Sequence, residues 1–332
     1  MNELDEKIEK SEKALKLAAE MSNEYYNAPL IITYSGGKDS DVMLHLAEEC
    51  LKPSEFEVLN SHTSVDAPQT VYHIRKVFKR LVEKGIKATV HIPRYEDGTQ
   101  ITMWNLILKK QIPPTRLARY CCQSLKETST PNRLCALGVR SAESIGRQGR
   151  DIFSIRGSTK KDAKWYSIEH AEEVFTESKE FNAPEFDCTL ISDMKSHNDT
   201  MVNPIYEWSD SDIWEYVRKN NIEMNPLYAM GYARVGCIGC PMATYKQKKK
   251  EFHDFPTYEK AYKNAFKKML EQRKLCGKDD VTGKTDSHIW ENEQDVFDWW
   301  IQKWQQGCKG QMELKDFSDY IQENEKDVTD QR

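Results

Sequence analysis

Several features of specialised chains are scarce or missing in this sequence. Only 12 Pro and 15 Gly occur among 332 residues, which excludes a collagen-like or linker-dominated polymer. No run approaches the roughly 18 consecutive apolar residues that a helix needs to cross a bilayer, so no membrane association is expected. The amino-terminal MNELDEKIEKSEK is charged where a secretory leader would be apolar, and a cytoplasmic location is expected. Nor is there an excess of positive charge. Lys and Arg total 48 against 53 Asp and Glu, a net charge of −5. That balance argues against a nucleic-acid binder over its whole surface, while a local basic patch remains compatible with it. What is present is 39% hydrophobic and 30% charged residues, enough apolar material for a large core in one large domain or two medium ones.

Residues Leu4, Ile8, Leu15 and Ala19 recur at helical spacing among Lys and Glu, predicting an amphipathic helix over residues 1–27 that ends before Pro29. Leu30-Ile31-Ile32-Thr33-Tyr34 is a short β-branched run suited to a buried parallel strand. Residues 56–61, 88–92 and 134–139 are further strand candidates, each separated by a helix-length segment. The alternation predicts an α/β fold, a doubly wound parallel sheet over residues 28–242. Ligands of such sheets bind beyond the carboxyl ends of the strands. Residues 243–332 read as an added α-helical C-terminal region. There Phe297, Trp300, Ile301 and Trp304 share one helix face, a stripe expected to be core. The polar segment 323–332 is expected to fray.

Ser35-Gly36-Gly37-Lys38-Asp39-Ser40 lies between the first strand and the helical pattern of Val42, Met43, Leu44, Leu46 and Ala47. Two glycines permit a tight bend whose amide N–H groups point at an anion, and the helix end behind them adds partial positive charge. Ser35 and Ser40 supply hydroxyls, Lys38 a cation for pyrophosphate, and Asp39 a carboxylate for Mg²⁺. The Walker A pattern GxxxxGK[ST] is absent.

Nine cysteines in a reducing compartment are unlike a disulfide framework. Cys50, Cys135, Cys188, Cys276 and Cys308 are scattered and read as small hydrophobes. Cys121-Cys122 and Cys237-Ile238-Gly239-Cys240 supply four thiols in two pairs, a set that suits tetrahedral Zn²⁺ or a [4Fe–4S] cluster. Arg116 and Arg119 precede the first pair. Lys246, Lys248, Lys249 and Lys250 follow the second, as a solvated helix face or a contact for a phosphate backbone.

The hexapeptide resembles the PP-loop of the adenine nucleotide α-hydrolase-like (HUP) superfamily, whose members cleave ATP between the α and β phosphates. These include ATP pyrophosphatases, the small subunit of sulfate adenylyltransferase, and the phosphoadenosine phosphosulfate (PAPS/APS) reductase family. The reductases usually degrade the second glycine and the lysine of the loop. Gly37 and Lys38 are intact here, which favours ATP itself as the nucleotide. The tandem Cys-Cys with a later CxxC is similar to assimilatory APS reductases and to the DndC-type sulfurtransferases of DNA phosphorothioation, and implies iron–sulfur, with zinc as the alternative. The segment from Gly138 through Arg140 to Arg147 looks like the family's GxRxxxSxxR. The run Asn203-Pro204, Trp208, Asp212-Ile213-Trp214, Asn225-Pro226-Leu227-Tyr228 is similar to its "NPL…W…DVW…NPLY…GC" stretch. Trp208 and Trp214 are expected to be scaffold. The resemblance covers residues 28–245.

That resemblance implies an ATP-dependent, AMP- and pyrophosphate-forming sulfurtransferase-like enzyme that adenylates an acceptor, with DNA modification among its uses. Its cofactors would be ATP, Mg²⁺ and a [4Fe–4S] cluster on Cys121, Cys122, Cys237 and Cys240. Lys38, Asp39 and Arg140 would carry catalysis. Ser35, Gly36, Gly37, Lys38, Asp39, Ser40, His62 and Arg147 would bind the nucleotide. Partners would be a sulfur donor such as a cysteine desulfurase, and DNA or a ParB-like protein. Three alternatives stay open. A nucleotide-binding regulatory subunit acting with a ParB-like or DNA-directed partner would use the charged C-terminal region. A sulfonucleotide reductase would need a nucleophilic cysteine within ECGxH, which Cys276 and Cys308 do not provide. A sulfate adenylyltransferase would leave the four cysteines without a purpose.

Overall fold

The apolar, β-branched runs become strands of one seven-stranded sheet in the computed structural model, which describes residues 2–127, 129–130, 132–143, 147, 149–155, 164–180, 190, 194, 200–275 and 290–302. Strands β1 (Leu30–Thr33), β2 (Phe56–Ser61), β3 (Ala88–His91), β4 (Leu134–Ala136), β5 (Phe153–Ile155), β6 (Lys164–Tyr166) and β7 (Thr200–Val202) stand in the order β3-β2-β1-β4-β7-β5-β6. From β3 to β7 every pairing is parallel, with Leu30 opposite Phe56 and Ile31 opposite Cys135. β5 pairs antiparallel with both β7 and β6, so the expected parallel sheet carries an antiparallel edge. β4 stops short of the expected Val139 because Gly138 turns in against the Asp39 backbone, where a Cβ would lie 3.3 Å from the Asp39 carbonyl. β3 closes before Pro93, which has no N–H to extend a ladder.

The helices are α1 (Glu3–Tyr26), α2 (Lys38–Cys50), α3 (Pro68–Glu83), α4 (Met103–Lys110), α5 (Tyr120–Leu125), α6 (Ile168–Glu180), α7 (Asp210–Lys219), α8 (Tyr245–Asp254), α9 (Pro256–Leu275) and α10 (Glu293–Ile301). Helices cover both faces of the sheet, giving the α/β architecture expected. α1 begins at Asn2, whose side chain accepts from the Asp5 amide, and ends at Asn27 in the left-handed conformation. Its apolar face of Leu4, Leu15, Ala18 and Met21 is buried. The Trp208 indole donates to Ser11 Oγ at 3.0 Å, so that tryptophan is scaffold as expected. Leu30, Ile32, Leu134 and Val202 are fully buried in the sheet's core, each worth about 1.5–3 kcal/mol relative to exposure.

Compactness divides the chain into two units that are discontinuous in sequence. Unit one holds the whole sheet with α1, α2, α3, α6 and α7, and ends at Gly236. Unit two gathers residues 63–67 and 93–127 with the described helices after Cys237. Its centre is Trp300, whose ring lies 4.6 Å from that of Tyr262 and 5.4 Å from that of Phe266, and whose indole donates to the Pro114 carbonyl. Phe297 and Trp300 are therefore core, while Trp304 lies outside the described residues. So do Cys188, Cys276, Cys308 and residues 323–332. No helix among the described residues is long and apolar enough to cross a membrane.

Candidate functional site

Unit one carries the glycine loop at the carboxyl end of β1, the middle one of the five parallel strands. Gly36 adopts φ +71°, and a Cβ there would come within 3.0 Å of Ile74, so this residue must be glycine. Gly37 caps α2. Its amide donates to Ser40 Oγ at 3.1 Å, and Ser40 Oγ donates back to the Gly37 carbonyl at 2.8 Å. Ser35 Oγ donates to the same hydroxyl at 3.2 Å. The two serines thus brace the bend from inside. A segment distant in sequence holds it from the other side. Asn225 Nδ2 donates to the Gly36 carbonyl at 2.8 Å, and Tyr228 Oη accepts from the Lys38 amide at 2.7 Å. Burial pushes the Tyr228 phenol well above its usual range, so it keeps its proton.

Lys38 and Arg140 are both buried, at 7% and 1% exposure. Arg140 Nε donates to Asp39 Oδ1 at 2.7 Å, and its Nη2 donates to Asp210 Oδ1 at 2.8 Å. Lys38 Nζ lies 3.3 Å from the Asp39 carboxylate and 3.1 Å from that of Asp210. Two cations and two carboxylates therefore form one lattice at the start of α2. Burial acts to raise the Asp210 carboxyl, but the Lys38 ammonium and the Arg140 guanidinium outweigh it and hold it below the usual range. Behind the loop, Tyr34 Oη donates to Asp41 Oδ1 and lies 3.0 Å from His73 Nε2. His73 Nε2 is itself 3.1 Å from the same carboxylate oxygen. This buried trio fastens α2 to β1 and α3.

Three expected residues have other surroundings. Asp39 is engaged with Arg140 and Lys38. Arg147 is ion-paired with Glu143, and its carbonyl accepts from Tyr206 Oη at 2.7 Å. His62 is half-buried at the end of β2, where its backbone N–H bonds to the His91 carbonyl. Asp210 was not foreseen, and neither was the clamp by Asn225 and Tyr228. The signal for Asp210 was present in Trp208-Ser209-Asp210, a helix N-cap with an acid at the first position. Nothing in the sequence says that the first turn of α7 would meet Arg140.

Unit two contains all four paired cysteines. Cys121 and Cys122 open the short helix α5, with their thiols hydrogen-bonded to each other. That bond, with Arg119 Nη2 at 3.5 Å from Cys122 Sγ, pulls the Cys122 thiol down to about 5, so it is a thiolate at neutral pH. Cys121 is pushed up by the same bond and by burial. Cys237 is pushed up to about 12, by burial first, and its Sγ lies 3.8 Å from Asp66 Oδ1. Cys237 beside it, with Asp66, Cys122 and Cys240, raises the Lys126 ammonium.

The CxxC turn is tightly built. Gly239 sits at φ +71° with room for no Cβ, since Trp300 would be 2.6 Å away. Its amide donates to the buried Glu251 carboxylate at 2.8 Å, while Ile238 bonds to the Val65 carbonyl through its N–H and to Tyr262 Oη through its own carbonyl. Among the described residues no group of three or more His, Cys, Asp or Glu side chains is arranged to hold a metal ion. The donor chemistry nevertheless suits one: four thiols in one unit, one of them already ionised, with Arg119 and Lys126 to offset their charge.

The model of the phosphoadenosine phosphosulfate reductase domain fits residues 29–243. The chain belongs to that family. An uncharacterised protein of Methanocaldococcus jannaschii, MJ0973, is 24% identical over 81% of this chain and 55% of its own length. An adenosine 5′-phosphosulfate reductase of Anoxybacillus flavithermus is 22% identical, covering 72% of this chain and 84% of its own. A sulfate adenylyltransferase subunit 2 of Pseudoalteromonas translucida is 25% identical, covering 65% of each. The chain spans about half the length of the first two curated relatives it matches, 55% and 44%. Members of the family act on adenine nucleotides and sulfonucleotides.

Proposed function

We propose that this protein is an ATP-dependent sulfurtransferase that releases pyrophosphate and forms an adenylated acceptor. The observation that carries the reading is the complete loop: Gly37 and Lys38 are both present, the bend is braced by Ser35 and Ser40, and Arg140 is buried beside it. The loop amides and Lys38 suit the β and γ phosphates. An acceptor oxygen attacks the α phosphorus, the bond to the bridging oxygen breaks, and pyrophosphate leaves with the electron pair. Cations and oriented amides stabilise the charge that develops on it. Asp39 and Asp210, both on the Lys38–Arg140 lattice, are the carboxylates available to a Mg²⁺ carried with the nucleotide. No side chain of the glycine loop itself is an obvious general base, so catalysis rests mainly on positioning.

The terminal sulfur of a persulfide, supplied by a partner such as a cysteine desulfurase, then bonds to the acceptor atom as AMP departs. A thiol reductant attacks the carrier sulfur of the resulting disulfide, forming a new disulfide and releasing the thiolated acceptor. Cys121, Cys122, Cys237 and Cys240 would hold a [4Fe–4S] cluster, or Zn²⁺ as the alternative. Bound by all four thiolates, such a cluster would supply redox chemistry at this site. DNA is one acceptor this reading admits.

The test is anaerobically purified protein with Mg²⁺ and α-³²P-labelled ATP. Formation of AMP and pyrophosphate is expected, and formation of ADP and phosphate overturns the reading. Sulfite release from a sulfonucleotide with a thiol reductant would assign the chain to the reductases, to which the Anoxybacillus relative belongs.

A further inference from the structure

Charge in unit two is distributed unlike that of the whole chain. Although the protein is net acidic, no Asp or Glu occurs from Gly98 to Lys126 or from Cys237 to Lys250. These two stretches carry the thiol pairs, and also Arg116, Arg119, Lys126, Lys246, Lys248, Lys249 and Lys250. They form one surface: Arg116 Nε donates to the Pro241 carbonyl at 3.2 Å, tying the loop before α5 to the turn that leads into α8. Lys246, Lys249, Arg116 and Arg119 are exposed. Lys246 and Lys249 have no carboxylate partner among the described residues. The first turn of α8 has no acid, so the lysines crowd the end of a helix whose dipole disfavours cations. Lys250 makes an i,i+4 ion pair with Asp254, but helix stability does not explain Lys246 and Lys249.

Exposed apolar groups lie between these charges. Leu117, Met242 and Tyr245 are 46%, 44% and 36% exposed, and Lys249 Nζ sits 4.8 Å from the centre of the Tyr245 ring, holding it in place. Cations interleaved with an exposed aromatic ring and apolar side chains suit a chain of phosphates whose bases are free to stack. A duplex hides its base faces and has no use for Tyr245, while an acidic polypeptide has none for a stacking platform.

We infer that this face of unit two binds a single-stranded polynucleotide, and that the paired thiols lie in the floor of that binding surface. The inference deepens the proposed function by naming the acceptor class. It rests on that reading for the acceptor role alone, since binding needs no nucleotide turnover.

Fluorescence anisotropy of the intact, anaerobically purified protein with labelled 20-mers of dT and of U tests it. Micromolar binding at 50 mM NaCl is expected, weakening at least about tenfold at 200 mM. The double variant K246E/K249E should weaken binding at least about tenfold, and K246Q/K249Q should lower the salt slope by about 1.4, with unchanged circular dichroism. Y245A should cost several-fold with the salt slope retained. The dT and U arms report whether DNA or RNA is the source, and tight binding of either supports the inference. No binding to either at 50 mM, indifference to the charge reversal, tighter binding of a duplex, or equal competition by poly-glutamate would overturn it. ATP cleavage to AMP, measured on the same samples, separates failure of this surface from failure of the proposed reaction.

Discussion

In unit one each cation of the glycine loop meets a carboxylate. Arg140 divides its guanidinium between Asp39 and Asp210, and Lys38 reaches both. In unit two Arg119 and Arg116 beside the cysteines face a thiol and a backbone carbonyl, while farther along α8 Lys250 pairs with Asp254. Arg119 leans on Cys122 Sγ, Arg116 on the Pro241 carbonyl, and Lys126 lies among Cys237, Asp66 and Cys122. The first arrangement fixes geometry, as suits a site that must hold phosphates in line. The second sets exposed positive charge around sulfur, as suits thiolates and an anionic partner. One chain thus uses the same residue types for rigidity in one unit and for attraction in the other.

The sharpest way to break this comparison is a crossed pair of variants. Lys38→Ala should lower AMP formation at least about 100-fold while the anaerobic protein keeps its brown absorbance near ~400 nm. Cys237→Ser should remove that absorbance and leave equilibrium ATP binding largely intact. Loss of both properties in either variant would show that the two sites are not separable.

Gly239→Ala comes next. Its Cβ would be driven into Trp300 from a left-handed backbone, and we expect about 2–4 kcal/mol of destabilisation, read as lost hydrogen-exchange protection in α9 and α10. Protection in β1 and β2 should stay as in the parent.

The buried Lys248 gives a pH test of unit two. Burial lowers its ammonium from 10.5 to about 8. Below about 8 the folded and unfolded forms are both protonated, and the folded state bears the whole cost of burying the charge. Between about 8 and 10.5 the unfolded form binds more protons, so this group makes stability rise with pH. Lys248→Met should therefore stabilise at pH 7 by about 1–3 kcal/mol, with the gain fading toward pH 10.5 in denaturant melts. A gain that is constant with pH would refute the assignment.

Smaller effects are expected at the margins of the loop lattice. Asp210→Asn should lower AMP formation about tenfold, because Arg140 and Lys38 lose a charged acceptor, with little change in melting temperature since the side chain is 71% exposed. Arg147→Ala, whose side chain is ion-paired with Glu143, should change stability by no more than about 0.5 kcal/mol and turnover by less than about threefold. A large loss there would restore Arg147 to the nucleotide site.

Much of this was legible in the residues. The β-branched run at Leu30–Thr33 followed by two glycines fixed the site of the loop, because strand, bend and helix are local patterns. The thiol pairs were legible for the same reason, as was the aromatic stripe at Phe297 and Trp300. Asp210 was not, since its meeting with Arg140 joins residues 70 apart. Nor was the clamp by Asn225 and Tyr228, which spans about 190 positions. The antiparallel edge of β5 and β6 was equally hidden, because short strands of three residues carry too little period to reveal direction.

By itself the sequence determined where the chain bends, which side chains could meet phosphate or metal, and that an α/β sheet would be built. Backbone conformation and hydrophobic period act over a few residues, so they are written locally. Tertiary structure alone decided that residues 63–67 and 93–127 fold with the helices after Cys237, that both cysteine pairs share one unit, and that Lys38 and Arg140 are held by two carboxylates. Those outcomes depend on burial, which makes unpaired charge costly and so selects partners from anywhere in the chain.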